Sequence, residues 1–99
     1  MRLNKAQIQS IQQIVREVAG KRARVFLFGS RLLDERKGGD VDLLVDLSGP
    51  VEHPAVLAAR LSARISRALH GRRVDIVLKA PNLKHLPIHE VALREGYRL

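Results

Sequence analysis

The chain contains no cysteine and no tryptophan, and its 99 residues include only two phenylalanines and one tyrosine. Without cysteine it can form no disulfide and offers no thiolate ligand to a metal, which fits a reducing compartment. Aromatic residues make up 3% of the sequence and hydrophobic residues 45%. A globular fold is therefore expected, with a core built from aliphatic side chains.

Long apolar segments are also missing. No run approaches the roughly 20 residues that a membrane-spanning helix needs. The N-terminal sequence MRLNKAQIQS lacks the apolar centre of a signal peptide. We therefore expect a cytoplasmic protein with no membrane partner, and a length of 99 residues predicts one small domain over residues 1–99.

The charge is strongly one-sided, with 18 Lys and Arg against 10 Asp and Glu, a net charge of +8. Such a balance favours polyanionic ligands or an acidic partner. The sequence does not interleave aromatic and basic residues, the pattern that stacks on single-stranded bases. A nucleotide or a protein partner is therefore favoured over nucleic acid.

Hydrophobic spacing and turn residues predict the order helix, strand, strand, helix, strand, helix. Asn4 is a suitable N-cap for the first helix and Gly20 a suitable stop. The predicted elements are a helix to residue 19, strands 24–28 and 41–47, a helix 54–70, a strand 74–78 and a helix 88–94. This order indicates a two-layer α/β domain of the α+β type. The pattern allows the first two strands to be antiparallel or to cross over, and it leaves the strand order open.

The most informative segment is 24–46. Its first strand runs into Gly29-Ser30, a turn whose backbone N–H groups and hydroxyl can bind phosphate. If 31–35 forms a helical turn, Ser30 lies near its N-terminus, where anions are favoured. A basic loop follows, containing Arg31, Arg36 and Lys37.

Two aspartates then open the second strand. Asp40 and Asp42 share one face of that strand because side chains alternate, and they lie about 7 Å apart along it. Their charges repel each other, and a divalent cation between them would relieve that repulsion. A site for a metal-bound nucleoside triphosphate is therefore predicted from three features together: the phosphate-binding turn, the basic loop and the paired carboxylates.

A third acid, Asp75, lies inside the short apolar strand 74–78. A carboxylate there is costly unless it is paired or lies at the edge of the sheet. Asp75 is therefore a candidate third carboxylate beside Asp40 and Asp42. The alternative is a structural ion pair with Lys79, which lies four residues further along the strand on the same face.

Other features have simpler explanations. A Gly-Ser after a strand is often only a turn, and a D-x-D pair often forms a solvated face. The basic ridge formed by Arg60, Arg64 and Arg67 is either a solvated helix face or a contact for an acidic partner. His85 and His89 are four residues apart, but Pro87 between them disfavours a metal pair.

Three motifs, taken in order, resemble a known family. Phe28-Gly29-Ser30, the D-x-D pair Asp40 and Asp42, and Val74-Asp75-Ile76 are similar to the motifs of the minimal nucleotidyltransferases of the DNA polymerase β superfamily. The resemblance covers nearly the whole chain and implies a small mixed sheet flanked by helices. It also implies that Gly29 and Ser30 hold a triphosphate, that Arg31 occupies a commonly basic position, and that Asp40, Asp42 and Asp75 form the catalytic triad that binds Mg²⁺.

The chain departs from that pattern in the loop. Ser30 and Asp40 are separated by nine residues, where small members often have one more. Leu32, Leu33 and Asp34 replace the usual small residue and glycine after the arginine. Both changes affect the conformation of the loop more than the acids.

A free-standing member of this length resembles the antitoxin of a two-gene system whose other product is a helical HEPN ribonuclease toxin. Such antitoxins bind the toxin, and some transfer AMP from ATP to one of its tyrosines. The resemblance implies ATP as substrate, Mg²⁺ as cofactor, a HEPN-type toxin as partner and a homo- or hetero-oligomer. The alternatives are an antitoxin that neutralises the ribonuclease by occlusion without catalysis, and a basic nucleic-acid-binding protein.

Overall fold

The computed structural model describes residues 3–28 and 41–99. The elements follow the predicted order with one short addition at the end. They are α1 (Lys5–Ala19), β1 (Arg24–Phe28), β2 (Val41–Asp46), α2 (Pro54–Ala68), β3 (Val74–Lys79), α3 (Pro87–Glu95) and β4 (Tyr97–Arg98). Among the helices of these two ranges, none combines the length and apolar character needed to cross a membrane.

The helix ends follow from local chemistry. The Asn4 side chain accepts a hydrogen bond from the Gln7 N–H at 2.8 Å, and the Gln7 side chain accepts one from the Asn4 N–H at 2.8 Å. This reciprocal capping box fixes the start of α1 as predicted. Helix α2 ends at Ala68, two residues earlier than predicted, because His70 and Gly71 adopt left-handed φ values of 61° and 85°.

The four strands form one mixed sheet in the order β3-β2-β1-β4. Strand β1 is antiparallel to both β2 and β4, whereas β2 and β3 are parallel and connected through α2. The question that the sequence left open for the first two strands is thus answered in favour of antiparallel pairing. The predicted α+β class, a small mixed sheet flanked by helices, is confirmed.

Helices cover both faces of this sheet, so the domain has three layers instead of the two that the element order predicted. On one face, α1 and α2 pack on β-strand residues that include Val41, Leu43 and Val45, with Ile11 and Ile65 among the helix residues of the same core cluster. On the other face, α3 packs on β1 and β2 in a smaller cluster formed by Phe26, Phe28, Leu44 and Ala92. Alternation along β2 therefore directs Asp42, Leu44 and Asp46 to the α3 face.

Three polar contacts tie the loops and edges to this frame. The Ser62 hydroxyl on α2 donates to the Val74 carbonyl at 2.7 Å. The Asn82 side chain bonds both backbone groups of Val51, accepting from its N–H at 3.0 Å and donating to its carbonyl at 2.7 Å. The two Asn82 bonds hold the connections that follow β2 and β3 against each other, and the Ser62 bond joins α2 to the start of β3.

Gly96 forms the junction between α3 and β4. A Cβ at this position would lie 2.3 Å from the Ala92 carbonyl oxygen and 2.9 Å from the Leu27 carbonyl oxygen. Only glycine lets the two backbones approach so closely. Leu99 continues the contact beyond β4 by donating its N–H to the Val25 carbonyl at 2.9 Å.

Candidate active site

The sheet brings two of the predicted acids side by side. Asp42 on β2 and Asp75 on β3 are direct partners in the parallel register. Both lie on the α3 face, since Asp42 alternates with Leu43 and Asp75 alternates with Val74, and these two apolar residues belong to the opposite core cluster. Neighbouring strands are about 4.8 Å apart, so the two carboxylates flank a common space.

The surroundings keep both acids accessible. Asp42 and Asp75 are half-buried, and the Asp75 side chain is 45% exposed. Asp75 lies on the edge strand of the sheet, one of the two positions in which a carboxylate is tolerated in such a strand. The Arg73 Nε atom lies 3.5 Å from the Asp75 Oδ1 atom and partly neutralises its charge. Two adjacent carboxylates, neither of them fully buried, form a donor set that suits Mg²⁺.

The remaining predicted site residues, Gly29, Ser30, Arg31 and Asp40, lie outside the described residues, as do Arg36 and Lys37 of the basic loop. The two described residues that flank this segment, Phe28 and Val41, nevertheless lie next to Asp42. Phe28, which precedes Gly29, is the antiparallel register partner of Asp42, and Val41 follows Asp40. Within 3–28 and 41–99, no three His, Asp or Glu side chains cluster as a metal site.

Lys79 does not pair with Asp75, so the alternative structural pair is corrected. Its Nζ atom lies 3.8 Å from the Asp46 Oδ1 atom, because Asp46 is its register partner on β2. Arg24, the register partner of Asp46 on the other side, donates to the Asp46 Oδ2 atom. Asp46 is 7% exposed and received no role in the sequence analysis. The only sequence signal was its place two positions beyond Leu44 on one face of β2.

The histidines of α3 have structural contacts. His89 is buried, and its Nδ1 atom accepts a hydrogen bond from the Leu86 N–H at 3.0 Å, which caps the start of α3. The His85 Nε2 atom lies 3.4 Å from the Glu90 Oε2 atom. The two imidazole ring centres are 5.4 Å apart, so they are neighbours although Pro87 separates them in sequence.

The basic ridge has both a structural and an exposed part. Arg64 donates to the Glu17 carboxylate at 2.6 Å and links α2 to α1. This bond, with a second one from Gln13, holds the pKa of Glu17 below its usual value. Arg60 and Arg67 are exposed. The acidic-partner interpretation of the ridge therefore rests on Arg60 and Arg67.

A protein-family model that describes a nucleotidyltransferase domain matches residues 8–95. The chain belongs to this nucleotidyltransferase family. The predicted relationship to the minimal nucleotidyltransferases is thus confirmed. The match spans α1 to the last residue of α3 apart from the first three residues of α1, so Asp42 and Asp75 lie inside the family region.

A solved structure agrees on the fold. A chain in the crystal structure of a toxin–antitoxin with AMP-PNP superposes with a TM-score of 0.70 at 18% identity. The match covers 97% of the present chain and 72% of that chain. No curated protein matches the sequence. The two chains therefore share an overall fold that extends over almost the whole of the present chain.

Proposed function

We propose that this nucleotidyltransferase domain is a Mg²⁺-dependent enzyme that transfers a nucleoside monophosphate, AMP from ATP, to a hydroxyl of a partner protein. The observation that carries the proposal is the register pairing of Asp42 with Asp75 on one accessible face of the sheet. Membership in the nucleotidyltransferase family supports the reaction class. Asp40, Gly29, Ser30 and Arg31 complete the proposed site from the segment that connects β1 to β2.

Asp42, Asp75 and Asp40 would hold Mg²⁺, which when bound would neutralise phosphate charge and favour ionisation of the acceptor hydroxyl. The acceptor oxygen forms a bond to the α-phosphorus while the bond from that phosphorus to the pyrophosphate oxygen breaks. Pyrophosphate leaves, and the hydroxyl proton passes to Asp75 as general base. Gly29, Ser30 and Arg31 would bind the triphosphate and orient it for in-line attack.

We further propose that the acceptor is a toxin of the HEPN type, and that the chain is its antitoxin. Support comes from the structural neighbour, which is a toxin–antitoxin that contains the ATP analogue AMP-PNP. The net charge of +8 and the exposed Arg60 and Arg67 fit a partner with an acidic surface. A cytoplasmic location and one domain over residues 1–99 are parts of the same proposal.

The decisive experiment incubates the protein with ATP, Mg²⁺ and its co-purifying or gene-neighbour partner, and then measures the intact mass of the partner. We expect the partner to gain one or more AMP units. Asp42→Asn should abolish the gain, because it removes a carboxylate at the site while keeping the volume of the side chain. Glu52→Gln is the matched control, since it neutralises an acid that is 92% exposed, and it should transfer AMP at the wild-type rate.

A second candidate function is neutralisation by binding alone. It is favoured by the basic surface, which can hold a partner without chemistry. The same variants distinguish the two functions, because under occlusion the Asp42→Asn protein still neutralises the toxin. Transfer by Asp42→Asn at the wild-type rate would reject the assignment of the acids altogether.

A further inference from the structure

We propose that the chain forms a two-fold homodimer through the outer edge of β3, with the Val77 residues of the two copies facing each other at the axis. This inference does not depend on nucleotidyl transfer. It rests on three observations that involve different groups: the backbone groups of β3, its charged side chains and the small side chains of α2.

The first observation is the unpaired outer side of β3. This strand is at the end of the sheet, and no strand within residues 3–28 and 41–99 pairs with its outer side. Its inner side is identified by two hydrogen bonds, from the Val41 N–H to the Arg73 carbonyl at 2.9 Å and from the Leu47 N–H to the Lys79 carbonyl at 2.7 Å. Alternate residues of a strand direct their backbone groups to opposite sides, so Val74, Ile76 and Leu78 direct theirs outward.

The Ser62 hydroxyl confirms this direction at one end, because it reaches the Val74 carbonyl from α2. The outward N–H and C=O groups of Ile76 and Leu78 then form a short edge suited to another strand. In an antiparallel pair centred on Val77, Ile76 of one copy lies opposite Leu78 of the other. Both residues direct their groups outward, so four backbone hydrogen bonds form around the axis.

The second observation is the charge pattern. In the register centred on Val77, Asp75 of each copy lies opposite Lys79 of the other on the same face, a favourable cross-strand pair that occurs twice. A register centred on Ile76 instead places Lys79 opposite Arg73, which is repulsive. A register centred on Asp75 places the two aspartates opposite each other. Of these three registers, charge therefore favours the one centred on Val77.

The third observation is the side of α2 next to this edge. Ser62 marks that side through its bond to Val74, and helical spacing places Ala55, Ala59 and Ser66 on the same side. All four side chains are small, and the two alanines are exposed. In the proposed dimer the two α2 helices approach each other on one face of a continuous eight-stranded sheet. Small side chains permit this approach, whereas long side chains would hold the copies apart.

The dimer also has a consequence for the candidate active site. Lys79 of the second copy lies beside Asp75, which makes the site a composite of two chains. The carboxylate pair of each copy thereby gains Lys79 of the second chain in addition to Arg73 of its own chain, since within one chain Lys79 lies next to Asp46.

The first test is the solution mass, measured by light scattering coupled to size-exclusion chromatography. We expect about twice the 11.1 kDa of one chain. A monomer at the highest concentration at which the protein stays in solution would overturn the proposal.

The second test is cross-linking at the axis. Val77→Cys introduces a single cysteine, because the sequence has none. A non-hydrogen-bonded antiparallel pair has Cα atoms about 4.5 Å apart, within the range that a disulfide spans. Oxidation should therefore convert Val77→Cys to a covalent dimer. The matched control is Val56→Cys on α2, which is 57% exposed and should cross-link more slowly despite its greater accessibility. Equal rates would contradict the proposed axis.

The third test reverses a charge. Asp75→Lys should produce a monomer, because it brings lysines opposite each other twice. Glu52→Lys, an equal change of charge on an exposed acid, should remain dimeric. Circular dichroism verifies that each variant is folded. A dimer that survives Asp75→Lys would show that the copies associate through another surface.

Discussion

Asp46 shows how a single buried charge is accommodated in this fold. Its carboxylate lies between a cation from each neighbouring strand, Arg24 on β1 and Lys79 on β3. The Arg24 guanidinium also lies 5.6 Å from the centre of the Phe26 ring, within the range of a cation–π contact. A carboxylate that is 7% exposed needs such partners, because burial of an unpaired charge is costly.

We expect Asp46→Asn to lower the free energy of unfolding by about 1–3 kcal/mol, because it leaves two cations without their common anion. Urea denaturation measures the change. Glu52→Gln removes the same charge from a side chain that is 92% exposed and should leave the free energy of unfolding nearly unchanged. Equal effects of the two substitutions would mean that Asp46 contributes no more than a surface charge.

At this scale the sequence predicted the face of each acid but not its partner. Alternation correctly placed Asp42 on the opposite face of β2 from Val41 and Leu43, and Asp75 together with Lys79 on one face of β3. It could not show that Lys79 pairs with Asp46, because that contact depends on the parallel register of β2 and β3. Residues 33 positions apart in sequence become neighbours only through tertiary pairing.

At the scale of elements, the α3–β4 junction depends on one glycine. We expect Gly96→Ala to lower the free energy of unfolding by about 1–3 kcal/mol, since the new Cβ would overlap backbone atoms that have little freedom to move. Thermal or urea denaturation measures this change in the free energy of unfolding. Gly49→Ala is the matched control, because nothing lies within 4 Å of its Cβ position. A neutral Gly96→Ala would show that α3 and β4 can separate at no cost.

The ion pair between α1 and α2 predicts a pH dependence. The pKa of Glu17 lies below its usual 4.5, chiefly through the hydrogen bond from Arg64, so the folded chain binds its proton less readily than the unfolded chain. The resulting stabilisation is complete above pH 4.5 and is lost as the pH falls through the lower folded pKa. We therefore expect Glu17→Gln to be less stable than wild type at neutral pH.

In acid the difference in unfolding free energy between Glu17→Gln and wild type should disappear, because the wild-type carboxyl is then also uncharged. Urea titrations at neutral pH and well below pH 4.5 measure both values. Glu95→Gln, at an exposed position of α3, serves as the control and should show no such pH-dependent difference. A difference that persists in acid would indicate that Glu17 acts through packing rather than charge.

The helices were the most predictable elements. The residues that start or end a helix act through local backbone geometry; here they are Asn4, Gly20, Pro87 and Gly96. The starts and ends of α1 and α3 therefore agree with the prediction to within one residue. Strand β4 was missed because two residues after a glycine carry no periodic pattern. The order of the strands in the sheet could not be predicted from the sequence either, because it depends on tertiary packing.

At the scale of the whole molecule, the candidate site is assembled by topology. The sequence identified Asp42 and Asp75 as separate candidates, and the parallel pairing of their strands makes them neighbours. The resemblance to minimal nucleotidyltransferases anticipated this pairing, whereas spacing alone could not. The metal and nucleotide roles of these residues, and those of Gly29, Ser30, Arg31 and Asp40, stay predictions.

The proposed dimer predicts a stability that depends on protein concentration. If folding and association are coupled, the melting temperature of the wild-type protein should rise as its concentration increases. The Asp75→Lys variant should melt at the same temperature at all concentrations, because its copies repel each other. Calorimetry over a dilution series measures both, with Glu52→Lys as the control that retains the wild-type dependence. A wild-type melting temperature independent of concentration would argue against coupled association.

Strand β2 pairs with β1 on one side and with β3 on the other, and this has a consequence for how the sequence of such a protein can vary in evolution. Phe28 faces Asp42 across one ladder, and Asp75 faces it across the other. The position of Asp42 is thus set from both sides by backbone pairing, whatever the length of the connection from 29 to 40. Insertions and deletions in that connection can accumulate without displacing Asp42 and Asp75. In the proposed enzyme, substrate binding by this connection and chemistry at the acids could therefore evolve independently.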